Sequence, residues 1–198
     1  MFPSTQPMHP ADSRPPPAPH TALSSLSPSL LQDLLRFENS GPQRELLEVL
    51  AACVRHTQAL AITVAAPDQP PLVLSVFPTD RQVHCVLPLA AVLGGNLAAL
   101  QVLEVQPVRW RAPRSTEAHR IDHPDHYAPL GPLLWAVALR GARDALLPEL
   151  AGQAAYRVSP GISLGGLTVP GAMAACITRL RRHTCNLREI ASWPDVGP

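Results

Sequence analysis

Between positions 119 and 126 the chain sets three imidazoles and two carboxylates, His119, Asp122, His123, Asp125 and His126, within eight residues. Imidazole nitrogens and carboxylate oxygens are the donors that zinc, iron and manganese take, so this run is the candidate metal set. Its spacing follows no zinc motif, and Pro124 forbids the regular helix that would stack His119 on His123. It reads first as a mobile, metal-free polar loop. The alternative is a metal-dependent enzyme built on this loop, with His56 and His84 as remote ligands.

A second candidate is Gly161-Ile162-Ser163-Leu164-Gly165, which has the letters of a nucleophile elbow. An elbow needs a buried strand before it, a helix directly after it, and an acid followed by a histidine further on. Here Gly165-Gly166 and Thr168-Val169-Pro170 prolong a loop, and Glu189 and Asp195 both come after His183. No catalytic residue is assigned. All sixteen basic side chains are arginine, which excludes a phosphate-binding Gly-Lys-Ser/Thr loop, a kinase strand lysine and Schiff-base chemistry. No cofactor site is expected. The four cysteines, Cys53, Cys85, Cys176 and Cys185, form no CxxC pair, so they read as reduced thiols, with Cys53 and Cys176 on apolar helix faces.

The third candidate is basic. Arg179, Arg181 and Arg182 close a helix expected over 170–184, and Arg188 follows in a short helix with an Asn186 cap and Glu189 three positions on. The stretch from Leu187 to Val196 resembles the opening helix and turn of helix-turn-helix and winged-helix domains. That resemblance covers about thirty residues and implies DNA contact through the four arginines. The chain stops at Pro198, where the helix that enters the major groove would begin. Phosphate contact without base readout is then the expectation. Basic residues at a helix C-terminus also complement its dipole, which needs no ligand.

These candidates must be held by a recognisable set of elements. Residues 1–28 carry eight of the 24 prolines and read as a disordered or polyproline-like arm. Leu30, Leu31, Leu34 and Leu35 begin a helix. Ser40-Gly41-Pro42-Gln43 has the form of a capping box for a second helix over 42–56, with Leu46, Leu47, Leu50, Cys53 and Val54 inward and Glu48 outward. Strands are predicted at Leu60–Val64, 72–77 and 82–87, with short turns that imply antiparallel neighbours. A brief helix follows from Pro88 to Leu93. A fourth strand covers Leu100–Val105, where the alternation slips at Leu103 and calls for a bulge or two-faced burial. Residues 107–129 read as a linker. A helix from Gly131 buries Leu130, Leu133, Leu134, Val137, Ala138 and Ala145. A short strand surrounds Tyr156, and the 170–184 helix buries Met173, Cys176, Ile177 and Leu180.

The fold class is therefore α+β: a small antiparallel sheet covered by helices over 29–106, followed across the linker by a mainly helical part, 130–198, packed on it. A net charge of +1 gives no global field for nucleic acid or anionic lipid, and no segment reads as a signal peptide or membrane span, which places the chain in the cytoplasm. What remains suits a non-enzymatic interaction or regulatory module with a protein partner or a second copy of itself, ahead of a DNA-associated regulator and of the metal enzyme.

Overall fold

The computed structural model describes residues 26–38, 45–108, 123–142, 146–147, 150 and 152–194. The proposed arm up to position 25, the 40–44 capping box, Ala145, and His119 and Asp122 lie outside them.

Two helices come first, α1 (Pro28–Glu38) and α2 (Leu46–Arg55). Leu30 and Leu34 of α1 are fully buried, and Leu26, expected in the arm, is buried as well. The core thus reaches back ahead of the helix, where Ser27 N donates to Gln58 Oε1 at 3.1 Å. Leu35 turns out to be exposed. In α2 the buried side chains are Leu46, Glu48, Val49, Leu50, Ala52 and Cys53. Val54, expected inside, is exposed, and Glu48, expected outside, is buried. The helix begins at Leu46 rather than Pro42, and that shorter span rests on Val49 instead of Val54.

A single turn then redirects the chain into the sheet. Thr57 N bonds Val54 O and Gln58 N bonds Cys53 O, with Thr57 in the left-handed region at φ 53°. This is the Schellman closure that glycine usually makes.

Strands β1 (Leu60–Ala65), β2 (Leu72–Phe77) and β3 (Gln82–His84) form an antiparallel meander. Helix α3 (Leu89–Gly94) and a 3₁₀ turn at Leu97–Ala99 lead into β4 (Gln101–Pro107), which returns to pair with β1. The pairing shifts between Thr63 and Val64, so that Leu103 is the extra residue, as the slip in alternation required. β5 (Tyr127–Pro129) pairs with β3, which corrects the reading of this stretch as linker. β3 is three residues long rather than six. Beyond it Cys85 N still bonds His126 O at 2.9 Å. The sheet order is β4-β1-β2-β3-β5, all antiparallel.

One face of the sheet, Leu60, Ile62, Val64, Leu74, Val76, Val83 and Val105, packs with Leu50, Cys53 and the helix α4 (Leu130–Arg140) in a continuous core. Alternation along β1 explains it, since its buried residues fall at every second position. α4 contributes Leu130, Leu133, Ala136 and Val137, while Ala138 is exposed.

The C-terminal part is thinner. β6 (Ala155–Tyr156) pairs with β7 (Cys185–Asn186), flanking α5 (Gly171–Arg182), and α6 (Leu187–Ala191) follows. No residue of α5 is buried, against the expectation for Met173, Cys176, Ile177 and Leu180, all of which are half-buried. The region is tied to α4 by Trp135 Nε1 donating to Thr168 O at 2.8 Å. Among the described residues no helix is long and apolar enough to cross a membrane.

Candidate functional site

The described end of the histidine run, residues 123–126, is brought against the sheet. A 3₁₀ turn at Pro124–His126 and strand β5 place His126 beside His84 of β3, ring centroids 5.8 Å apart, and His123 beside His126 at 5.6 Å. Tyr127 stands 4.9 Å from His84 and 5.9 Å from Phe77, edge-on or tilted in each case. This cluster occupies the face of the sheet opposite the helices, because His84 pairs with Ser75, which alternates with the core residues Leu74 and Val76. His84 and Ser75 are buried, and Ser75 Oγ has no hydrogen-bond partner among the described residues. His123 and Asp125 remain exposed, their closest approach 3.7 Å. Among the described residues no group of three or more His, Cys, Asp or Glu side chains is arranged to hold a metal ion. The site is a ring-packed seam between β3 and β5.

His56, the other remote ligand considered, is engaged elsewhere. Its Nε2 lies 2.8 Å from Asp33 Oδ2, and Arg55 Nη1 reaches the same oxygen at 2.8 Å. Ser29 Oγ is 3.4 Å from His56 Nδ1. The hydrogen bond from His56, with the charges of Arg55, His56 and Arg36, holds the Asp33 carboxyl below its usual range even though burial works against it. Serine, histidine and aspartate fall in line here, but Arg55 shares the carboxylate and the serine contact is long. The group clamps α1 to α2. Sequence reasoning missed it because its members are up to 27 positions apart and follow no motif.

Ser163 lies in an exposed turn in which Gly165 N bonds its own Oγ at 3.3 Å, and α5 begins only at Gly171. The elbow context is lacking. The thiols are packed rather than poised: burial pushes Cys53 up to about 12 and also raises Cys85 and Cys176.

The four arginines do different things. Arg179 stacks over Trp193 at 5.1 Å, and Arg181 donates to Ile162 O at 3.1 Å. Arg182 is exposed at the end of α5, and Arg188 borders a polar hollow beside Gly152 and Asn186. The capping box of α6 is formed as expected, with Glu189 N on Asn186 Oδ1 and Asn186 N on Glu189 Oε2, both at 2.9 Å.

A feature that no motif announced lies at the far end of the sheet. The β1–β2 turn, the chain after β3, and α3 surround an open apolar groove of about 680 Å³, with Pro67, Pro70, Val86, Leu87, Ala91 and Val92 on its walls. No charged side chain among the described residues lines it. Val86 and Leu87 are 59% and 50% exposed at its rim, and α3 buries none of its residues. Proline in the turn keeps its backbone from closing over the groove as further strand. The sequence signal was present in Val86-Leu87, which had been spent on extending β3.

No protein-family model, curated protein or solved structure matches the chain.

Proposed function

We propose that the chain is a non-enzymatic protein-interaction module whose receptor surface is the apolar groove between the β1–β2 turn and α3. The observation that carries this is the pair Val86 and Leu87, large apolar side chains left in water at the rim of a groove whose described lining carries no charge. Exposed apolar surface of this kind is retained where a partner covers it. The lining supports an uncharged, apolar segment of another protein as the occupant, oriented by few polar groups beyond Gln69 and Asn96.

Selection of short peptides from a randomised display library on the immobilised chain tests this. Enrichment of uncharged apolar sequences, whose binding is lost in Leu87→Arg while the variant keeps its fold by circular dichroism, is the expected result. Charged winners, or winners indifferent to Leu87→Arg, contradict it.

A further inference from the structure

β4 forms one edge of the five-stranded sheet and is seven residues long, whereas β5 at the other edge has three. β1 is its single backbone partner among the described residues. Such an edge presents a row of unmet N–H and C=O groups, and proteins usually blunt it with lysines, inward charges or a covering element. This chain has no lysine. Among the described residues the protection on β4 is the bulge at Leu103, the single charge of Glu104 and the terminal Pro107, and no described backbone group pairs with the outer side of Gln101 to Gln106. The bulge also turns Leu103 outward, 56% exposed.

The groove adjoins the start of β4. Leu97, Ala99 and Leu100 line the groove, and β4 begins at the next residue; Ala65, also in the lining, pairs with Gln101. Glu104 is the one charge along the strand, and its contact is with the neutral amide of Gln106, so its carboxylate has no cation among the described residues.

The geometry points to strand addition: the groove's occupant is an extended segment of a partner protein that pairs with β4, sets apolar side chains in the groove and over Leu103, and brings an arginine or lysine to Glu104. This rests on the groove reading above and adds the backbone mode and the required charge. A second copy of the chain fits less well. Antiparallel pairing of two β4 strands about their middle would bring two Glu104 carboxylates together with no cation between them.

The test uses a display-selected peptide, synthesised with N-methyl groups on one alternating set of amides or on the other, and titrated against the full chain. One set removes the hydrogen bonds to β4 and weakens binding about tenfold or more, while the other set, facing solvent, changes little. Glu104→Arg abolishes the preference for a basic residue in the peptide. Equal affinity of the two methylated peptides overturns strand addition; if Leu87→Arg still abolishes binding, the groove reading survives alone. Loss with one methylated set but indifference to Leu87→Arg keeps edge pairing and removes the groove. Failure of every peptide overturns both. A wild-type chain that sediments as a dimer dissociated by Leu103→Arg assigns the edge to a second copy and overturns the proposal.

Discussion

His56 Nε2 and Asp33 Oδ2 meet at 2.8 Å across 23 positions of sequence, fastening the C-terminal end of α2 to the middle of α1. With the proton on Nε2 the imidazole donates to the carboxylate, and Nδ1 is left to accept from Ser29. Arg55 completes the clamp on the same oxygen.

Asp33→Asn should therefore cost about 1–3 kcal/mol at neutral pH, since it weakens a charge-assisted bond and leaves Arg55 and His56 without their anion. Asp33 has a folded pKa below its unfolded one, so its contribution is complete above the unfolded value and vanishes as pH falls through the folded value. Urea unfolding of both proteins should show a gap at pH 7 that closes below about pH 4. A gap of constant size would remove the carboxylate from the account.

Thr57 pays for its place in the turn with a left-handed backbone at φ 53°. Replacing this exposed β-branched residue by glycine relieves the strain, and the Thr57→Gly protein should be more stable by about 1 kcal/mol in the same assay. Loss of stability on this change would mean that the side chain has a role of its own.

Leu26 belongs to the core. Leu26→Ala should lower stability by about 2–4 kcal/mol, as truncation of a buried leucine does elsewhere. A variant as stable as the wild type would return this residue to the arm.

Duplex DNA is expected to bind weakly, without sequence preference, and to be released by moderate salt. Of the four arginines, Arg179 stacks on Trp193 and Arg181 gives a donor to Ile162 O, so these two present only part of the guanidinium to a phosphate. Gel shifts with unrelated duplexes at two salt concentrations check this, and selective binding that survives physiological salt would restore the helix-turn-helix resemblance as the functional reading.

The strands whose apolar runs are bounded by turn residues could be read from the sequence. Leu72 to Phe77 and the Pro78–Arg81 turn are where the pattern puts them, and the slip at Leu103 marks a real bulge. β5 escaped because Tyr-Ala-Pro is too short to alternate and is ordered by pairing with β3, a tertiary effect. The apolar stripe of α5 was legible, but among the described residues only a two-stranded ribbon, the short α6 and loops surround it, and Met173 and Leu180 stay half-buried. The groove was hidden for the opposite reason: Val86 and Leu87 look like strand interior, and only the early end of β3 at His84 exposes them.

The most direct test of the central claim is a nitrogen-15 chemical-shift map of the full chain titrated with a display-selected apolar peptide. Shifts concentrated at Ala65–Leu72, Val86–Leu100 and along β4 are the result expected from the groove and its adjoining edge. Shifts concentrated instead on the His84–His126 seam or on the arginines of α5 and α6 would contradict it.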